Sequence, residues 1–191
     1  MAMTPFEIEM DEITLARARR GDLDACEQIF RVFQKPAFSV AYRVCQCPDT
    51  AQEITQEAFI TVFRKLGQFR GDAPFWGWLR RVVVNHAISS IRKGPKIDPV
   101  EFQDHHCSSE SASEQVDMAM DLESALATLG AEDRAIVWLH DVEGYNHGEI
   151  AELFGKTQSF SKTRLSRARA RLKGLLEDGG HADLREAAAR G

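Results

Sequence analysis

Apolar residues recur along most of this chain at helical spacing, and no segment shows the sustained apolar–polar alternation of a half-buried strand. In residues 23–44, for example, Ile29, Phe33 and Ala37 fall on one side of a helix. Gly21 separates this segment from a shorter one before it. The pattern predicts an all-α fold, with helices at residues 13–18, 23–44, 50–66, 75–92, 116–128, 132–142, 147–154 and 157–176.

Short polar motifs mark several of these helix starts. Asp22 is the predicted N-cap of the second helix. Thr50-x-x-Glu53 and Asn146-x-x-Glu149 each have the form of a capping box, in which two side chains satisfy backbone N–H groups of the first turn. Pro36 lies inside the second helix and is expected to kink it.

The helices form two groups with a polar stretch between them. Turn-forming residues from Gly94 to Pro99 end the first group, and an acidic, Ser-rich segment follows. This composition predicts two small helical domains, at residues 1–95 and 116–178, joined by a flexible acidic linker at residues 96–115. Residues 179–191 are expected to form a frayed tail.

The charge distribution is more informative than the net charge of −5. Residues 61–96 hold eight basic residues and one acid, and residues 156–173 hold seven basic residues and no acid. Residues 97–133 between them hold ten acids and no Lys or Arg. Two basic patches separated by an acidic stretch favour two contacts on one polyanion, although a merely solvated basic helix is the alternative for the second patch.

Other features of the sequence exclude several classes of protein. No apolar run approaches the ~18 residues of a membrane span, and the acidic N-terminus has no signal-peptide core, so a cytoplasmic protein without membrane contact is expected. There is no nucleophile–base set and no Gly-rich phosphate loop, which argues against an enzyme. The four cysteines match no standard zinc spacing, even with the adjacent His105 and His106. Buried thiols are expected instead, with no metal and no cofactor.

The second basic patch has the layout of a helix-turn-helix motif. The capping box opens a short helix, Gly155 supplies a tight turn, and a basic helix follows. Leu165, Ala168, Leu172 and Leu175 form its predicted buried stripe, and Ser161 falls on the same stripe. In such motifs the second helix enters the major groove of DNA.

The stretch from Asp141 to Gly155 and the following Lys162-x-Arg164-Leu165-x-Arg167 resemble region 4 of bacterial ECF (extracytoplasmic function) sigma factors. Phe160-Ser161 departs from the family's small-then-apolar pair, which leaves open a rotation of the start of this helix. The resemblance implies contacts with the upstream, −35, promoter element by Ser159, Lys162, Thr163, Arg164 and Arg167.

The first basic patch, from Phe69 to Asn85, resembles region 2 of the same family. There, the loop before the last helix forms a pocket for one base flipped out of the −10 element, at a cost of a few kcal/mol. Asn85 suits a base edge because its amide donates and accepts, but it could equally anchor the loop. Trp76 and Trp78 are expected in the core rather than stacked on bases. The implied −10 contacts are Phe69, Arg70, Gly71, Asp72, Arg80, Arg81, Asn85 and Arg92.

The helix that follows Pro48 resembles region 2.2, which docks on the β′ clamp helices of core RNA polymerase. The family's acidic Asp-Ala-Glu-Asp cluster is Thr50-Ala51-Gln52-Glu53 here. One hypothesis is that Thr50 is only an N-cap, and the other is that a Ser/Thr kinase phosphorylates it to restore negative charge. Thr55 and Thr61 are weaker candidates. The implied polymerase-binding residues are Asp49, Gln52, Glu53, Gln56 and Glu57.

The resemblance implies a sigma factor that binds core RNA polymerase and promoter DNA. An anti-sigma factor is a further possible partner, although the sequence itself shows none. The alternative is a stand-alone helix-turn-helix transcriptional regulator, which would leave the segment from Phe69 to Asn85 without a role.

Overall fold

The computed structural model describes the backbone of residues 10–94 and 125–189, and the side chains of those residues up to 175. The chain divides into two compact units, unit 1 at Met1–Gly94 and unit 2 at Pro95–Gly191. The described residues are helices, turns and loops without a strand, so the all-α prediction is confirmed. The predicted linker at residues 96–115 lies outside the described residues.

Unit 1 contains four α-helices: α1 Glu12–Arg19, α2 Leu23–Cys45, α3 Pro48–Lys65 and α4 Phe75–Lys93. A 3-10 turn, Leu66–Gln68, follows α3. In unit 2, the described residues form α5 Ala131–Val137, which continues into a π turn at Trp138–Val142, then α6 His147–Phe154 and α7 Gln158–Ala189. α7 therefore continues past its predicted end at residue 176, and the frayed tail predicted there is helical to Ala189.

α2 begins as the sequence predicts, because the Asp22 side chain accepts a hydrogen bond from the Ala25 N–H at 3.2 Å. The helix is continuous through Pro36. α3 differs from the prediction. Its N-cap is Cys47 and its first residue is Pro48, so Thr50 lies inside the first turn and the predicted Thr50 capping box is wrong. Proline starts a helix readily because its missing N–H would have no partner there.

α2, α3 and α4 pack against one another around aromatic side chains. Phe33 of α2 is fully buried, and its ring lies 5.3 Å from that of Phe75 and stacks on Trp76 at 5.9 Å. Trp76 is thus a core residue, as expected. Trp78 was also expected in the core, but it is only half-buried.

The core of unit 2 lies among α5, α6 and α7. Ile136, Ile150 and Phe154 are buried there, facing the stripe of Leu165, Ala168 and Leu172. Leu175 was predicted in that stripe but is 39% exposed. The stripe therefore ends one turn earlier than its sequence period suggests.

Two further expectations concern cysteines and membranes. Cys26 and Cys45 are half-buried rather than fully buried, and burial raises the pKa of the Cys26 thiol. Cys107 lies outside the described residues. Across the described ranges, no three His, Cys, Asp or Glu side chains group as metal ligands do. Nor does any helix there have the length and apolar character of a membrane span.

Candidate nucleic-acid interfaces

The loop before α4 is fixed at its first residue, Phe69. The Phe69 ring is 8% exposed and contacts Phe75 and Trp78, with ring centres 5.4 and 5.5 Å away. Arg19 of α1 donates to the Phe69 carbonyl at 2.8 Å. Its guanidinium also lies over the Phe69 ring, 5.9 Å from the centre. Phe69 therefore forms the buried base of the loop, and the residues that follow it are exposed.

Three of the sequence-predicted loop residues, Arg70, Gly71 and Asp72, are exposed. Gly71 has φ +82°, a conformation that favours glycine. A Cβ at this position would lie 3.8 Å from a carboxylate oxygen of Glu12, so α1 borders the loop on one side. Glycine thus lets the chain turn back beside α1 and present its neighbours to solvent.

One exposed face of α4 carries most of the predicted −10 residues on this helix. Arg81, Asn85 and Arg92 are all exposed, and their spacing of four and seven residues places them on one side of the helix with Ser89. Arg80 differs because it is half-buried. The structure thus brings Arg81, Asn85 and Arg92 together and sets Arg80 apart.

The predicted polymerase-binding residues share the exposed face of α3. Asp49, Gln52, Glu53, Gln56 and Glu57 are all exposed. Glu57 Oε2 lies 3.3 Å from His86 Nδ1 of α4, and His86 Nε2 lies 3.0 Å from Thr61 Oγ1. His86 thereby joins the α3 face to the helix that carries Asn85, a contact that helical periodicity alone did not reveal.

In unit 2 the capping box is formed as predicted. The Asn146 side chain accepts from the N–H groups of Gly148 and Glu149, and the Glu149 carboxylate accepts from the Asn146 N–H at 2.9 Å. Gly155 then closes α6 in the left-handed conformation, with φ +62°. These two ends fix the length of α6 and the position at which α7 begins.

The buried side of α7 includes Ser161, which is 0% exposed. The opposite side exposes Ser159, Lys162, Thr163 and Arg167, all of them predicted upstream-element residues. The polar residue at position 161 therefore does not rotate the start of the helix away from its stripe.

Arg164 is the exception among these residues, because it is bound within the protein. Its guanidinium donates to Asp133 at 3.0 Å and to Glu132 at 2.9 Å, both in the first turn of α5, and lies 5.3 Å from the Phe160 ring centre. Arg169 is bound in a similar way by Asp141 of the π turn. Burial raises the pKa of the Asp141 carboxyl, but the hydrogen bonds and charges of Arg169 and His140 together lower it below its ordinary value. These ion pairs join α7 to α5 and the π turn.

A histidine pair lies where the π turn meets α6. The His140 and His147 rings are stacked with their centres 4.7 Å apart, and His140 Nδ1 lies 2.8 Å from a carboxylate oxygen of Asp141. His147 Nδ1 is hydrogen-bonded to Ser161 Oγ at 3.0 Å. Sequence reasoning missed both histidines and Arg19, and only the Asn146 capping box could have located one of them, as the first residue of α6.

Comparison with known proteins assigns each unit separately. The family model for Sigma-70 region 2 matches residues 29–96, and the model for Sigma-70 region 4 matches residues 119–172. The chain is 31% identical over 166 residues to the ECF RNA polymerase sigma factor SigM of Mycobacterium tuberculosis, covering 87% of this chain and 84% of SigM. It is 27% identical to the RNA polymerase sigma-H factor of Pseudomonas aeruginosa, covering 88% of this chain and 95% of that one.

Solved structures show the same fold. The sigma factor RpoE of Bartonella quintana, crystallised with the anti-sigma factor NepR, has a TM-score of 0.53 at 23% identity, covering 79% of this chain and 96% of RpoE. CnrH, in complex with the cytosolic domain of CnrY, has a TM-score of 0.50 at 26% identity, covering 88% of this chain and 97% of CnrH.

The ion pairs of Arg164 predict a difference between two arginines of α7. Arg164→Ala leaves Glu132 and Asp133 side by side without their cation, so unit 2 should lose about 1–2 kcal/mol of unfolding free energy. Arg167→Ala is the matched control on the exposed side and should change it by less than about 0.5 kcal/mol. Urea unfolding followed by Trp138 fluorescence, in a Trp76→Phe, Trp78→Phe background, measures both. Equal losses of unfolding free energy in the two variants would contradict a structural role for the Arg164 ion pairs.

Proposed function

The chain belongs to the ECF class of RNA polymerase sigma factors, and on that basis we propose that it binds core RNA polymerase and directs promoter-specific transcription initiation. The observation that carries the proposal is the order of two units, a region 2 followed by a region 4, each with an exposed polar and basic face. The site of action would be the cytoplasm, where the polymerase is, and the chain would contribute no catalytic chemistry of its own.

In this proposal residues 1–95 bind the polymerase and the −10 element, residues 96–115 act as linker, and residues 116–178 bind the −35 element. Tethering two DNA-binding domains raises the effective concentration of the second once the first is bound. A promoter is then selected by the spacing of its two elements as well as by their sequences.

The loop before α4 is the proposed place for a flipped base. Arg70, Gly71 and Asp72 supply its exposed surface, and Asn85 offers both a donor and an acceptor to a base edge. Buried Phe69 supports the loop from below, held by Arg19. Arg81 and Arg92 would hold phosphates, which position the protein without reading sequence, and half-buried Arg80 would contribute at the edge of this surface.

The exposed side of α7 is the proposed upstream-element surface. Ser159, Lys162, Thr163 and Arg167 point away from the core of unit 2 and suit contacts in the major groove. Arg164 has its own carboxylates, so we assign it to positioning α7 against α5 rather than to base reading. Each exposed cation that contacts phosphate makes binding more salt-dependent.

Transcription from purified components tests this function. Core RNA polymerase plus the chain should give transcripts from promoters mapped by transcript-start sequencing after overexpression, and Arg167→Ala should reduce them in a salt-dependent way. Core alone and core with the separated unit 2 are the controls, and neither should give these transcripts. A stand-alone helix-turn-helix regulator would instead bind the same duplex without core and give no transcript.

We also propose that phosphorylation of Thr50 by a Ser/Thr kinase strengthens polymerase binding. Thr50 is half-buried in the first turn of α3, where unpaired backbone N–H groups favour a negative group. Its phosphate would add about −1.5 to −2 charges beside Asp49 and Glu53. The hydroxyls of the two alternative threonines are engaged within the protein. Thr55 is 6% exposed and donates to the Ala51 carbonyl, while Thr61 is bonded to His86.

The kinase proposal predicts that phosphorylated protein binds core more tightly than unmodified protein. In cells, Thr50→Ala should lose transcription and Gln52→Glu should partly bypass the kinase. Thr61→Ala is the matched control and should not lose activation. Control by an anti-sigma factor is the alternative, since its release would activate Thr50→Ala as well as the wild type. Full core affinity of the unmodified chain, with normal transcription by Thr50→Ala, would exclude the switch.

A further inference from the structure

The contact between α6 and the start of α7 is close and polar. A Cβ on Gly148 would lie 3.2 Å from the Gln158 amide nitrogen, so the Gln158 side chain of α7 packs against the backbone of α6 at this glycine. One turn along α7, Ser161 is completely buried and bonded to His147. A buried hydroxyl between two helices is costly unless it is bonded, so this bond discriminates against other rotations of α7.

Burial of the apolar stripe sets the rotation of α7 through packing alone, and the hydroxyl of Ser161 adds the directional requirement that it lie within hydrogen-bond reach of His147 Nδ1. The rotation of α7 decides which side chains face outward. Lys162 and Thr163 follow Ser161 directly, so a small rotation there would redirect both.

We propose that His147 is a positioning residue, which through Ser161 fixes the rotation of the first turns of α7 and so determines which side chains reach the upstream element. The part concerning DNA rests on the proposed function. His147 itself points at Ser161 and carries no assigned contact with a base.

The charged groups around His147 make its hydrogen bond to Ser161 dependent on pH. From the π turn, His140 stacks on His147, and Asp141 lies behind His140. From α7, the nearby charges are Lys162 and Arg169. On α6 itself, the Glu149 carboxylate accepts a hydrogen bond from the Asn146 N–H. Burial lowers the pKa of His147, and repulsion from His140, Lys162 and Arg169 lowers it further. The unfolded chain therefore gains a proton first as pH falls. The docked arrangement is fully stabilised above the ordinary histidine value of 6.5 and weakens as pH falls below it.

The first test uses the free full-length chain and nuclear magnetic resonance. The amide signals of Lys162 and Thr163 should titrate together with the His147 ring, with a midpoint below 6.5. His147→Asn, which keeps a neutral hydrogen-bonding group near the position of Nδ1, should retain the folded α7 signals and abolish this titration. His86→Asn in unit 1 is the matched control and should leave it intact. The proposal would be overturned if the amide signals of Lys162 and Thr163 do not shift as the His147 ring titrates, or if they titrate equally in His147→Asn.

The second test uses the polymerase holoenzyme at about pH 8, where an ordinary histidine is neutral. Ser161→Ala should weaken protection of the upstream element about fivefold, the equivalent of one lost neutral hydrogen bond. His147→Asn should stay within about twofold of wild type, because its amide can still bind Ser161. His147→Ala, at a half-exposed position, removes the same bond and serves if Ser161→Ala does not fold. Wild-type protection by both alanine variants would overturn the proposal.

Failure of the two tests has different meanings. The first test needs neither polymerase nor promoter, so it tests the positioning role of His147 even if the chain initiates no transcription. If the wild-type holoenzyme transcribes and the variants protect the upstream element as well as wild type does, the positioning role of His147 is wrong and the proposed function is unaffected.

Discussion

A helix that buries one stripe of side chains must expose the opposite side, and this constraint places nearly every candidate contact residue of the chain. On α4, the burial of Trp76, Leu79 and Val83 exposes Arg81 and Asn85. On α7, the burial of Leu165, Ala168 and Leu172 exposes Lys162 and Arg167. The buried residues that stabilise each unit therefore also decide which polar side chains are exposed. A change in core packing would alter DNA binding even where no contact residue is changed.

Much of the fold could be predicted because its signals are local. The bounds of α6 follow from the Asn146 capping box and from Gly155, both within one short segment. The start of α3 was misplaced because Pro48 competes with the Thr50 motif and begins the helix itself. Local motifs thus compete, and the sequence does not show which one prevails.

The candidate sites were less predictable because long-range contacts decide the role of individual side chains. Arg164 has the same basic character as Arg167 in the sequence, yet its partners Glu132 and Asp133 lie some thirty residues earlier in the chain. Phe69 belongs to a loop that looks exposed, but the aromatic rings of α4 bury it. No periodic pattern could have paired His147 with Ser161, since that bond depends on how α6 and α7 dock.

Permanganate footprinting of promoter DNA tests the central claim most directly, because it detects the unpaired thymines that promoter melting creates. Core polymerase with the wild-type chain should make thymines of the −10 element reactive, whereas core alone should not. Asn85→Ala should bind core as wild type does and give weaker reactivity, because a flipped base would lose a partner for its edge. Absence of reactive thymines with the wild-type chain at promoters that it activates in cells would contradict the proposed role of unit 1.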